Sequence, residues 1–256
     1  MANIAIVGCS QSKDLAPFND ANFEIWGVNN LYPFIPRATR WFEIHEITLV
    51  NGVYLRRGSP VFRGQPVVEY LKNLGEFAAK HNIPVYMQKK WDIVPTSVVY
   101  PLEEIVKTFG EYFTNTVSYE LALAIYEKLK GTSNAEEIHV YGVDMAVDTE
   151  YHHQRPSCEY FLGIIRGLEL GGMKIKHYIP DEADLLKTMY LYGFNEPHKN
   201  AWDKKRQMMA ITMQQKRARL DGEIEQLKRA MQMKENQIQQ YLGAEGALKE
   251  SHKIWA

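Results

Sequence analysis

The densest set of chemistry-bearing side chains in the chain falls in IHVYGVDMAVDTEYHHQRPSCEY, residues 138–160. Asp144, Asp148, Glu150, Tyr151, His152, His153, Gln154 and Arg155 follow directly on a short apolar run that Gly142 closes. His152 or His153 is a candidate general base, because imidazole titrates near ~6.5 and can take a proton at neutral pH. Adjacent histidines point different ways on an extended segment, so at most one of them serves. Asp144 is placed to orient a ribose or that histidine, and the planar fork of Arg155 matches the oxygens of a phosphate. The competing account is a polar loop with an Arg155–Glu159 ion pair one helical turn apart. Asp144, Asp148, His152 and His153 also offer metal ligands, but neither H-x-x-x-H nor H-E-x-x-H occurs, so no metal is expected.

These residues need a scaffold that gathers them, and the runs around them supply one. Strands are expected at Asn3–Gly8, Phe23–Val28, Thr39–Ile44, Ile83–Tyr86, Ile138–Tyr141 and Lys174–Ile179. Helical spacing marks 67–80, 119–129, 157–170 (entered at Pro156, with Gly171-Gly172 after it) and a short piece over 183–190. Strands separated by helices in this rhythm predict an α/β fold, a Rossmann-like mostly parallel sheet with helices on both faces. Residues 50–66 carry Gly, Pro and Arg without periodicity and read as a loop or mobile lid, and 91–109 as a longer connection.

In such a sheet ligands sit beyond the carboxyl ends of the strands. Ser10 and Ser12 follow Gly8, Asn29 and Asn30 follow the second strand, and His45 and Glu46 follow the third. One polar strand end is ordinary; three suggest a lined crevice. The turn after Gly8 is neither G-x-G-x-x-G nor a P-loop, since the next glycine is Gly27. Small side chains at Ser10 and Ser12 still admit a phosphate to backbone N–H groups; an ordinary tight turn explains them equally well. Asn29 and Asn30 either turn the backbone or read hydroxyls and ring edges. Thr114, Asn115 and Thr116 precede a helix whose N-terminus can hold an anion, or they simply cap it.

Of 256 residues, 45% are hydrophobic and 24% charged, with a net charge of −1, which describes a globular protein without the basic balance of a dedicated nucleic-acid binder. No apolar stretch is long enough to span a bilayer, the N-terminus lacks a secretory pattern, and two cysteines build no disulfide framework. A cytoplasmic protein is expected, with no membrane partner. From 199 onward long polar side chains take over, and Met213, Leu220, Ile224, Leu227, Met231, Ile238 and Tyr241 recur at alternating three- and four-residue steps, interrupted by Arg217 and Lys234. That spacing predicts a coiled-coil arm for homo-oligomerisation, or a helix packed back on its own domain. A final short helix is expected over 243–256. The expected division is a nucleotide-binding domain over 1–195 and a helical arm over 196–256.

IAIVGCSQS (4–12), WGVNNLY (26–32), FTNTVSY (113–119) and EIHVYGVDM (137–145) together resemble the small bacterial sialyltransferases and related Rossmann-like glycosyltransferase and pterin-pyrophosphokinase proteins. Residues 118–187 are similar to bacteriophage proteins of unassigned role, through SYELALAI, YGVDMA, EYHHQRPSCEY and IPDEADLLK. The first resemblance implies that Asn29 contacts the nucleotide of a donor, that Ser10, Ser12 and Thr114 to Ser118 line the same site, and that Tyr151 holds a phosphate. The candidate ligand set is thus Gly8, Ser10, Ser12, Asn29, Asn30, His45, Thr114, Asn115, Ser118, Gly142, Tyr151 and Arg155, and the candidate catalytic set Asp144, His152 and His153. The sialyltransferases place their catalytic histidine well downstream of Gly-x-Asp, whereas here His152 and His153 follow Asp144 by only eight and nine residues. Three functions are open: a nucleotide-sugar glycosyltransferase with the nucleotide sugar as donor substrate, a non-catalytic protein that sequesters a nucleotide signal, and a phage structural or scaffold protein.

Overall fold

β-branched and aromatic residues placed between glycines and polar turns fold as seven short parallel strands. The computed structural model describes the backbone of residues 3–144, 151–188 and 198–255; side chains at 151–152, 198–205, 208, 209, 212 and 250–255 lie outside that description. The chain divides into Met1–Lys187 and Thr188–Ala256.

In the first unit, β1 (Asn3–Val7), β2 (Phe23–Val28) and β3 (Arg40–Glu43) are followed by two small hairpins, β4 (Ile47–Val50) with β5 (Val53–Arg56) and β6 (Val61–Phe62) with β7 (Gln65–Pro66). Next come α1 (Val67–His81), β8 (Val85–Met87), β9 (Ser97–Val99), α2 (Leu102–Phe109), α3 (Thr116–Leu129), β10 (Glu137–Tyr141), α4 (Tyr151–Leu170) and β11 (Lys176–Tyr178). The main sheet runs β11-β10-β1-β2-β3-β8-β9, and every neighbouring pair is parallel. The fold is α/β and Rossmann-like. The chain builds outward from β1 through β9, then returns to the other side of β1 with β10, so strand order reverses between β1 and β10.

Alternation along the strands divides the core in two. Ile4, Ile6, Trp26, Phe42 and Val140 pack with α3 and α4 on one face, while Ala5, Val7, Ile25, Trp41 and Val85 pack with α1 on the other. Between β1 and β10 the backbones come very close: a Cβ on Gly8 would stand 2.4 Å from the Gly142 carbonyl oxygen, and one on Gly142 equally near that of Gly8. Gly142 also has φ of +65°. Only glycine at both positions permits this approach.

Several elements differ from expectation. Residues 50–66 are not a featureless loop but a run of tight turns at Asn51-Gly52, Arg57-Gly58 and Arg63-Gly64, each with positive φ at both residues. Such turns match the twist of a hairpin, and their flanking strands are too short to show alternation in the sequence. The 91–109 connection contains the edge strand β9 and helix α2. Helix α4 begins at Tyr151 rather than after Pro156, so the proline lies inside the helix. Proline there removes one backbone donor; Asn115 Nδ2 and Thr114 Oγ1 donate to the Gln154 carbonyl nearby, at 2.7 and 3.1 Å. Residues 181–188 form turns rather than a helix, and 189–190 lie outside the described residues.

In the second unit, α5 (His198–Trp255) is one continuous helix of 58 residues, so the separate helix expected over 243–256 is part of it. No described helix is long and apolar enough to cross a membrane.

Candidate functional site

Because the strands are parallel, the residues after β1, β2, β3, β8 and β10 all emerge at one edge of the sheet. A hollow of about 520 Å³ opens there at the reversal of strand order, within the size range of small-molecule sites. Its walls include Gly8, Cys9, Ser10, Asn29, His45, Gln88 and Gly142 from the strand ends and Phe113 to Val117 and Tyr119 from the start of α3. Arg57 and Arg63 from the hairpins and Gln154 of α4 complete the polar part. Among the described residues no aspartate or glutamate belongs to the lining, and neither Arg57 nor Arg63 forms an ion pair with a described carboxylate. The described lining therefore carries positive charge without a counterion among the described residues.

Three local devices give it specificity. Thr116 and Val117 form the first turn of α3, whose N–H groups have no intrahelical acceptors; Asn115 caps the helix by accepting from Ser118 N at 2.9 Å. Asn29 sits in a left-handed conformation, φ of +50°, its backbone carbonyl accepts from Trp41 Nε1 at 2.9 Å, and its buried side-chain oxygen Oδ1 has no partner among the described residues. A buried acceptor left open within a hollow calls for a donor from outside the protein. Phe113 and Tyr119 stack with centroids 4.4 Å apart and form a flat aromatic wall.

His45 is held from behind. Its Nδ1 lies 2.7 Å from Glu43 Oε1 and 2.6 Å from Arg56 Nη2. Glu43 is fully buried and also receives hydrogen bonds from Arg56 Nε (3.3 Å), Arg56 Nη2 (3.2 Å) and the Tyr70 hydroxyl. The Arg56 guanidinium in turn lies 3.9 Å from the centre of the Phe62 ring. Burial pushes the Glu43 carboxyl upward, but the His45 hydrogen bond and the Arg56 charge outweigh it and hold the group below its ordinary value. Burial, then the Glu43 charge, drive Tyr70 well above its own. The cluster fixes the imidazole and leaves Nε2 as the nitrogen not engaged by it.

No family model and no curated protein matches the chain. Among solved structures, it is similar to the sialyltransferase CstII from Campylobacter jejuni in complex with a substrate analogue, CMP-3FNeuAc. That match has 14% identity and a TM-score of 0.42, over 80% of this chain and 98% of the other. The functional reading rests on the crevice itself.

Of the residues singled out in the sequence, Gly8, Ser10, Asn29, His45, Thr114, Asn115 and Gly142 line the hollow. Ser12 does not: it is buried, its hydroxyl donates to Asp144 Oδ1, and it accepts from Gly142 N at 2.8 Å. Asp144 is thereby tied to the β1 turn, and its carbonyl accepts from Asp184 N. Ser118 is buried and donates to the Asn115 carbonyl at 2.6 Å. Arg155 pairs with Glu159 at 2.7 Å and donates to the Lys187 carbonyl, the ion pair that competed with phosphate binding in the sequence. Asn30 and the exposed His153 are not part of the lining. The side chains of Tyr151 and His152, and all of Asp148 and Glu150, lie outside the described residues. Among the described residues no group of three His, Cys, Asp or Glu could hold a metal.

Sequence reasoning missed Arg57, Arg63, Gln88, Tyr119 and the Glu43–Arg56–Tyr70 support. One signal was present: Asn-Gly, Arg-Gly and Arg-Gly recur at six-residue intervals, a series of hairpin turns. Glu43 in the otherwise apolar strand WFEI was another. A carboxylate facing inward from a strand needs partners.

Proposed function

We propose that the first unit binds a nucleotide-type phosphate ester in this crevice and transfers a sugar from a nucleotide-sugar donor to an acceptor hydroxyl. The observation that carries the reading is a hollow at the strand-order reversal lined by two arginines and a helix N-terminus, with no carboxylate among its described lining residues. The leaving phosphate takes the guanidinium forks of Arg57 and Arg63 and the open N–H groups of α3. The unpartnered Asn29 Oδ1 accepts from a ribose hydroxyl or a base amine, and the Phe113–Tyr119 wall offers a surface for a ring. His45 is the proton acceptor: with its Nδ1 proton donated to Glu43, Nε2 is free to take the proton of an acceptor hydroxyl as the glycosidic bond to phosphate breaks. The base thus moves from the 152–153 segment to the end of β3.

Nucleotides and nucleotide sugars are tested by calorimetry and by nucleotide release. Arg57→Ala and Arg63→Ala should each weaken nucleotide binding by about 1.5–3 kcal/mol, the worth of a hydrogen bond to a charged group. His45→Ala should keep binding and lose turnover. Absence of binding by any phosphorylated nucleoside overturns the proposal.

A second reading rests on Arg56. Its Nη2 stands 2.6 Å from His45 Nδ1, and donation along that line puts the imidazole proton on Nε2. His45 is then a hydrogen-bond donor to the ligand and the protein sequesters without turnover. Tight nucleotide binding with no nucleotide release from any sugar donor is the outcome that favours it.

A further inference from the structure

From Met213 to Leu248 the second unit carries a continuous heptad register. Met213, Leu220, Leu227, Tyr241 and Leu248 fall at position d, and Ile224, Met231 and Ile238 at position a. Each of these eight side chains is between 48% and 76% exposed. A helix interior offers no other place to put them, and a stripe of this length on a helix needs a facing helix of the same period.

The residues beside the stripe say which helix that is. In a parallel, in-register pair, position g of one chain faces position e of the next heptad in the other. Lys216 at g then meets the second copy's Asp221 at e, and Glu223 at g meets the second copy's Lys228 at e, so both charged steps are of opposite sign. An antiparallel pair sets g against g and e against e and does not make these matches by symmetry. Isoleucine at a with leucine at d is the packing preference of two-stranded rather than higher assemblies. The seam is interrupted at Arg217 and Glu245, both position a, and at Lys234, position d, and polar residues at such places specify register at a cost in stability. Arg217 lies 3.7 Å from Asp221, one turn on in its own helix, which relieves the like charges that an in-register pair brings together.

We propose that α5 is a parallel, in-register, two-stranded coiled coil with a second copy of this chain. The pairing is independent of what the crevice binds.

Sedimentation equilibrium of the full chain tests it. The expected mass is twice 29.6 kDa; a monomer at tens of micromolar, or a trimer or tetramer, overturns the proposal. Ile224→Asp should give a monomer, with circular dichroism showing that the first unit stays folded. Glu223→Lys and Lys228→Glu should each loosen the dimer by about tenfold, because two symmetry-related contacts change from attraction to repulsion. The double variant should return to the original dissociation constant. Failure of the double variant to recover overturns the parallel arrangement even if the chain is dimeric.

Discussion

Glu43 and Glu120 are both wholly buried carboxyl groups in the same unit, one on each side of the sheet, and they meet opposite fates. Glu43, at the end of β3, is approached by Arg56, His45 and Tyr70 and is held below its ordinary pKa. Glu120, in α3, has neither oxygen hydrogen-bonded among the described residues, and burial alone drives it well above that value. Burial by itself therefore does not decide whether a carboxyl is charged; the donors within reach do. The difference matters for the site. Glu43, held low, anchors His45, while burial disfavours the charged form of Glu120 on the other side of the sheet.

The largest effect should come from removing the charged partner. Glu43→Ala strands Arg56 in the core, and urea unfolding should show a loss of about 3–5 kcal/mol, the usual cost of breaking a buried pair. A loss below about 1 kcal/mol would mean that the cluster is wet and weak, and the contrast with Glu120 would collapse. Next, Glu120→Leu should stabilise the protein at pH 8 by about 1–3 kcal/mol, since it removes an unsatisfied buried polar group. The sign follows from the raised pKa. The folded state keeps a proton that the unfolded chain loses above about 4.5, so the wild type is progressively penalised as pH rises through that region, and the gain should shrink towards pH 4. Glu43 has the reverse dependence. Its stabilisation is complete above the unfolded carboxyl value and is lost as pH falls through its lowered folded value.

Tyr70→Phe takes away one of the hydrogen bonds to Glu43 and should cost about 1 kcal/mol, with the acid transition moving to higher pH. Smallest of all is the expected effect of His45→Ala on stability, within about 1 kcal/mol, because losing the partly exposed imidazole leaves the Glu43–Arg56–Tyr70 bonds in place. The same variant should abolish sugar transfer. A large loss of stability with unchanged turnover would make His45 a structural residue and Glu43 merely its counterpart.

The polar strand ends were readable in the chain because a strand that stops at Val7, Val28 or Glu43 must deliver the next residues to the sheet edge. Ser10, Asn29 and His45 were found for that reason, and Thr114 and Asn115 because capping residues mark a helix start. In the 152–155 segment, Gln154 reaches the hollow while Arg155 spends its guanidinium on Glu159 and the Lys187 carbonyl. The hairpin arginines were hidden by strands of two to four residues. Such strands carry too little alternation to register, and an arginine in a left-handed turn is not a usual hairpin residue.

The order of apolar runs, turn residues and caps was enough to determine a parallel α/β sheet and a long heptad helix, because periodicity is a local property of the chain. Which charges survive burial was decided only when the chain folded. Glu43 meets Arg56 thirteen residues away and Tyr70 twenty-seven away, while Glu120 meets no donor at all among the described residues. Apart from His45, two positions from Glu43, nothing within a few positions of either glutamate records that difference, since the free energy of a buried charge is set by the groups around it in space.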